Sequence, residues 1–160
     1  MAMTSFSGCL YSLDDFYTVS SGLVTTETTL FVYNTSLLER VTPDTLWEPV
    51  RAMVANRMAE GGEEWSTTFE RFNSGTYNNQ WMVVDYNRLD GQDGLLWVVE
   101  QLPGLVVKED RTRDILQKGY WASYNRAVSR EVFVKSGGQE KVEEFGDWFS
   151  YNETPRLGTK

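Results

Sequence analysis

The chain holds one cysteine, Cys9, and no histidine, and those two counts decide which catalysis its own residues can run. Without imidazole there is no Ser-His-Asp or Cys-His relay, no histidine-ligated zinc and no histidine proton shuttle. No Gly-x-Ser-x-Gly elbow, Ser-x-x-Lys pair, phosphate-binding glycine loop or Cys-x-x-Cys occurs either, and no metal or organic cofactor is indicated. The carboxylate pairs Asp14-Asp15, Glu63-Glu64 and Glu143-Glu144 are adjacent in sequence. Neighbours on a strand or helix point apart, so these pairs read as solvated faces rather than shared-proton dyads. Asp14-Asp15 precedes the aromatic pair Phe16-Tyr17, which leaves a structural role open there. Cys9 cannot form an internal disulfide; as a free cysteine its ordinary behaviour is that of a small buried hydrophobe.

The densest polar chemistry lies in Asn73-Ser74-Gly75-Thr76-Tyr77-Asn78-Asn79-Gln80, directly ahead of Trp81-Met82-Val83-Val84-Asp85-Tyr86. Its first half is turn chemistry, since Asn and Ser bond their own backbone and Gly allows positive φ. Its second half alternates into a strand. Amides carried into an apolar strand must be hydrogen-bonded, so the run is expected to be buried, with its side chains tied to backbone. The plain alternative is a polar turn at a strand entry.

These residues need a scaffold, and the pattern around them is mixed α and β. Leu23 to Tyr33 is rich in Val, Thr, Phe and Tyr and reads as strand. Pro43-Asp44 opens a helix in which Leu46, Val50, Met53, Val54, Arg57 and Met58 share a face, with Gly61-Gly62 as the stop. Trp65, Phe69 and Phe72 belong to a second, shorter helix. Trp81–Tyr86 and Leu95–Val99 pair around the turn residues 90–94, and Leu105-Val106-Val107 is a third strand. Thr112–Lys118, Val128–Val134 and Glu140–Phe145 read as helices. No internal repeat or linker-like stretch is present, and 160 residues suit one domain, 1–160.

Charge and hydropathy narrow the partners. Lys plus Arg is 15 against 23 Asp plus Glu, a net charge of −8, which argues against nucleic acid or an anionic membrane surface as partner. Six Trp, eight Tyr and eight Phe argue against disorder. No apolar run approaches a membrane span, and the first residues lack the basic and apolar regions of a signal peptide. Two N-glycosylation tripeptides occur, at Asn34 and Asn152.

Several blocks resemble the phospholipase B-like family in order and spacing. They are the 73–86 run, Ser12-Leu13-Asp14-Asp15-Phe16-Tyr17, Ser20-Ser21-Gly22-Leu23-Val24 with Glu27-Thr28-Thr29, and Glu100-Gln101-Leu102-Pro103-Gly104. Tyr120-Trp121-Ala122-Ser123-Tyr124-Asn125 and Gly146-Asp147-Trp148-Phe149-Ser150-Tyr151 with Pro155-Arg156 complete the set. The resemblance covers nearly the whole chain but only the middle of the family's sequence. It implies an α+β fold, part of the αββα sandwich of N-terminal-nucleophile hydrolases, incomplete at both ends. It also implies hydrolysis of acyl esters of phospholipids, or of amides, in a lysosomal or extracellular protein.

In such hydrolases the first residue of a processed chain is the nucleophile, and its own α-amine, with a pKa near about 7.7–8.0, takes the proton. Histidine is then unnecessary as a base. By resemblance Asn125 matches an active-site Asn that donates to the oxyanion, Arg156 an active-site cation, and Thr29 a hydroxyl lining the nucleophile's pocket. Each also has an ordinary reading: a loop-bonding Asn, a surface Arg, a half-buried strand Thr. The family's nucleophile lies upstream of the Leu13-Asp14-Asp15 block, and Cys9 falls where relatives carry an ordinary apolar residue. The expectation is therefore a fragment whose nucleophile lies outside it, inactive and poorly stable alone. The alternative is a catalytically inactive truncated paralogue with a binding or vestigial role.

Overall fold

The computed structural model describes residues 1–12, 15–91 and 93–151. Six strands, β1 (Ala2–Met3), β2 (Phe16–Thr18), β3 (Leu23–Thr29), β4 (Asn79–Asp85), β5 (Leu96–Leu102) and β6 (Leu105–Asp110), form one sheet in sequence order. Every neighbouring pair is antiparallel. β4 and β5, inside the sheet, are the most buried strands, around the apolar stretches Trp81-Met82-Val83-Val84 and Leu96-Trp97-Val98-Val99.

Helices α1 (Glu48–Met58) and α2 (Gly62–Glu70) cover one face. Beneath them Tyr17, Leu23, Trp81, Val83 and Val99 pack with Trp65 and Phe69, both fully buried. The other face carries Met82, Leu96 and Val98 against Ile115 of α3 (Thr112–Lys118) and Trp121. α4 (Arg130–Lys135) closes a smaller cluster through Val132, which meets Leu30 and Leu102, and α5 (Gly138–Phe145) follows it.

Three sequence expectations about β3 and α1 change, and two smaller ones with them: Phe72 lies exposed beyond the end of α2, and Gly62 belongs to α2. β3 stops at Thr29, short of Tyr33. Leu30 N–H does bond Asn78 carbonyl at 2.7 Å, but Tyr33 and Asn34 then donate to Ser136 carbonyl beyond α4, so the chain has left the sheet. α1 begins at Glu48 rather than Pro43, with Pro49 in its first turn; ahead of it Thr45 closes a turn on Thr42, and Leu46 N–H bonds Phe72 carbonyl.

The third change concerns which face of α1 is inside. Val50, Val54 and Met58 are 47%, 40% and 62% exposed, while Glu48, Arg51, Ala52, Ala55 and Asn56 are buried. The packing surface beneath is made of Trp65, Phe69 and Trp81, whose rings lie 4.8 to 5.7 Å apart by centroid. Against so bulky a layer only small side chains let the helix approach, hence Ala52, Ala55 and Ala59. The polar members survive burial because each finds partners. Asn56 Oδ1 accepts from Trp65 Nε1 and Thr25 Oγ1, and Glu48 Oε1 accepts from Trp81 Nε1. Gly62 opens α2 rather than ending α1; a Cβ there would stand 2.6 Å from Trp97 Cδ1.

Candidate functional site

The run 73–80 forms a bracket between α1, α2 and the β5–β6 turn. Asn73 makes four bonds: Nδ2 donates to Leu102 and Leu105 carbonyls, and Oδ1 accepts from Gly75 N–H and Arg51 Nη1. Gly75 is required at φ 65, since a Cβ there would lie 2.5 Å from Pro103 Cα. Asn78 Nδ2 donates to Gly75 carbonyl, and Gln80 Nε2 to Glu100 Oε1 and Arg126 carbonyl. The expected amide-to-backbone ties are present at Asn73, Asn78 and Gln80. Thr76 and Tyr77 are exposed, however, and Asn79, fully buried, has neither amide atom hydrogen-bonded among the described residues.

Arg51, which sequence reasoning passed over, is the central bolt of this bracket. It is 3% exposed and donates to the carbonyls of Phe69 and Arg71, to Asn73 Oδ1 and to Gln101 Oε1. Its guanidinium lies 4.3 Å from the Phe69 ring centroid. Burial lowers its pKa to about 10, with Glu48 opposing, so it stays a cation at neutral pH.

Of the residues expected to share a site, Asn125 reaches Thr29 across 96 positions of chain, but through the Thr29 main-chain carbonyl and not through its hydroxyl. Asn125 Nδ2 donates to Thr29 carbonyl at 3.0 Å, and Thr29 Oγ1 hydrogen-bonds Tyr77 Oη at 2.9 Å. One strand position back, Thr28 Oγ1 meets Ser123 Oγ on the opposite face of the sheet. Asn125 takes a left-handed backbone, φ 58, which Asn tolerates better than most residues. It lines a cavity of about 220 Å³ whose other walls include Leu30, Phe31, Tyr33, Phe133 and Phe149. Arg156 and Asn152 lie outside the described residues. Asn34 is exposed and caps a 3-10 turn at Thr35–Arg40, accepting from Ser36 N–H and Oγ.

A second cavity, about 410 Å³, opens on the α1 side of β3. Three acids line it, Asp15, Glu27 and Glu48; of these Glu27 is 5% exposed, with neither carboxyl oxygen hydrogen-bonded among the described residues. Burial pushes the Glu27 pKa up to about 9, with Asp15 adding to the rise and Asn79 and Tyr77 opposing it. Asp15 faces Glu27 across the β2–β3 pairing, and Glu27 N–H bonds Asp15 carbonyl at 3.1 Å. Asp15 thus meets a carboxyl from another strand, a meeting that no adjacent pair in the sequence advertised. Glu48, 3% exposed, is pushed to about 7 by burial, opposed by Arg51 and by the Trp81 bond. One sequence signal pointed here: the inward parity of β3 reads Leu23, Thr25, Glu27, an acid where an apolar residue is the rule.

Glu100, 2% exposed, has its pKa raised by burial despite three donors. It accepts from Gln80 Nε2 and from the backbone N–H groups of Val128 and Ser129. It thereby fixes the segment that carries Asn125 onto β5. Among the described residues no cluster of acids or Cys is arranged to hold a metal ion.

The sequence profile described as Phospholipase B matches residues 1–159. Phospholipase B-like 1 of Rattus norvegicus is 47% identical over 160 residues, covering 98% of this chain and 29% of the relative. Phospholipase-B 81 of Drysdalia coronoides and phospholipase B of Crotalus adamanteus are each 44% identical over 159 residues, covering 97% of this chain and 29% of the relative. The chain therefore spans under a third of the length of the curated relatives it matches.

Proposed function

We propose that this chain, which belongs to the phospholipase B family, contributes the acyl-positioning half of a hydrolase acting on phospholipid esters or acyl amides. The nucleophile in this reading is a cysteine at the start of a processed chain, supplied by sequence other than these 160 residues. The fold that goes with it is the αββα sandwich. One antiparallel sheet with α1 and α2 on a single face supports that reading as one sheet and one helical layer of the four.

The observation that carries it is the Asn125–Thr29 bond at the edge of an apolar-walled cavity. The bond consumes one of the two amide hydrogens of Asn125; the other is the donor a developing oxyanion needs. In the reaction the thiol sulfur adds to the acyl carbon while the α-amine takes the thiol proton, and the carbonyl electron pair moves onto oxygen. Asn125 stabilises that oxygen, and Thr29 and Tyr77 hold the strand end against which the carbonyl lies. Collapse breaks the bond to the leaving alcohol or amine, which departs with the proton, and water repeats the sequence on the acyl-enzyme. Apolar walls at Leu30, Phe31 and Phe133 suit a fatty acyl chain. Among the described residues no helix is long and apolar enough to cross a membrane. A lysosomal or extracellular setting is the one the family reading favours, and exposed Asn34 is available there to carry a glycan.

The test is fatty-acid release from phosphatidylcholine and amine release from an N-acyl amide. Both are measured for this chain alone and for the chain joined to the sequence flanking the matched region in the rat relative. The expectation is turnover only in the joined protein, lowered roughly 10²–10³-fold by Asn125→Ala. Full activity in that variant overturns the assignment of Asn125.

A further inference from the structure

The 410 Å³ cavity has a composition of its own. Tyr11, Tyr17, Trp47, Tyr77 and Trp81 supply aromatic walls, and Asp15, Glu27 and Glu48 supply carboxyls. No Lys or Arg lines it among the described residues; Arg51, three positions on from Glu48, is occupied with the Phe69 and Arg71 carbonyls. Glu27 is buried, lines the space and has both oxygens without a hydrogen-bond partner among the described residues, a costly state that a ligand cation relieves. Its volume falls in the range of small-molecule sites, about 300–1,000 Å³.

We propose that this cavity binds a small organic ammonium group, quaternary or primary, held over the Trp81, Trp47 and Tyr77 rings with Glu27 as counter-ion. Ring faces attract a diffuse organic cation through their quadrupole. A hard metal ion instead needs six or more oxygen ligands, and the aromatic walls leave too few. The same chemistry occurs free, as choline or an amine, or tethered, as the headgroup of a phospholipid. The site does not depend on the hydrolase reading; only the tethered source does.

The proton on Glu27 is part of the device. At neutral pH burial and Asp15 keep that carboxyl protonated, so an entering cation must displace the proton. The groups that face it are Asp15 before β2, Tyr17 on β2, Glu48 on α1 and Tyr77 before β4. Those on Tyr17 and Tyr77 are held neutral by raised pKa values, leaving the carboxyls to titrate. Choline affinity is therefore expected to rise from about pH 6 to about pH 9, with proton uptake by the buffer on binding.

The experiment titrates choline chloride and its uncharged isostere 3,3-dimethylbutan-1-ol into the intact chain, by NMR of the indole N–H groups and by calorimetry in two buffers. Expected are choline-dependent shifts of Trp81 and at least about tenfold weaker binding of the neutral isostere. Glu27→Gln is expected to weaken choline about tenfold. Trp47→Ala, at a side chain 72% exposed and so harmless to folding, is expected to weaken it several-fold. Glycerophosphocholine binding as tightly as choline assigns the site to a tethered headgroup; choline alone assigns it to a free amine, and either supports the site. Equal binding of choline and the isostere, unchanged affinity in both variants, or no shift up to about 100 mM choline overturns the proposal. A failed hydrolysis assay leaves these readouts untouched, so the two readings fail separately.

Discussion

Replacing Glu27 by Gln tests whether the buried acid is held neutral. The side chain keeps its shape but can no longer ionise. Glu27 has its folded pKa raised to about 9 from an ordinary 4.5, so between those values the folded state binds more protons than the unfolded one. Stability contributed by the neutral group is thus complete below about pH 4.5 and lost progressively as pH rises towards about 9. At about 1.4 kcal/mol per pH value the whole window amounts to at most about 6 kcal/mol, and water entry at the cavity mouth brings this down to roughly 3–5. Glu48 adds a loss of the same sign between 4.5 and about 7, and Glu100 is raised too, but the variant leaves both in place. Urea unfolding of the two proteins between about pH 5 and pH 8.5 therefore reads the Glu27 carboxyl together with its interaction with the facing Asp15. Near pH 5 the two should be nearly equal, because Gln resembles protonated Glu. At pH 8.5 Glu27→Gln should be the more stable by about 3–5 kcal/mol. Parallel stability curves across the range would refute the reasoning, because they would mean Glu27 is ionised and solvated in the folded protein.

Asn73→Ala should cost about 2–4 kcal/mol, since it leaves Gly75 N–H and an Arg51 hydrogen without an acceptor and two carbonyls without a donor. Asn78→Ala, which loses one bond to Gly75, should cost only about 1 kcal/mol; urea midpoints at constant m-value check both. Glu100→Ala leaves one Gln80 Nε2 hydrogen and the N–H groups of Val128 and Ser129 without an acceptor, the other Gln80 hydrogen staying on Arg126 carbonyl, and should cost about 3–5 kcal/mol. Limited proteolysis should then find cleavage between residues 125 and 130 that the unaltered protein resists. Gly75→Ala combines a positive φ with a Cβ inside Pro103 and should lower the melting temperature more than Gly119→Ala, where a Cβ meets nothing within 4 Å.

Local wording in the sequence settled the elements whose signal is short-ranged. β4, β5 and β6 follow from Trp81–Tyr86, Leu95–Val99 and Leu105-Val106-Val107, α3 lies at Thr112–Lys118 as expected, and the motif order identified the family. The run 73–80 was legible in part: the ties of Asn73, Asn78 and Gln80 to backbone were expected, whereas the exposure of Thr76 and Tyr77 and the unbonded Asn79 amide were not. α1 was misjudged in orientation, since periodicity reports that a helix has an apolar stripe but not which surface awaits it. Trp65, Phe69 and Trp81 form a bulky layer that admits Ala52 and Ala55 and turns Val50, Val54 and Met58 outward. Glu27 facing Asp15, Asn125 reaching Thr29, and Glu100 tying down Val128 and Ser129 are likewise products of strand register and chain return. Hydrogen bonds and burial costs act over a few ångströms in space, whereas these partners stand 12 to 96 positions apart along the chain. The sequence by itself determined which residues could do chemistry, and only tertiary packing decided which of them met, and which acids lost their water.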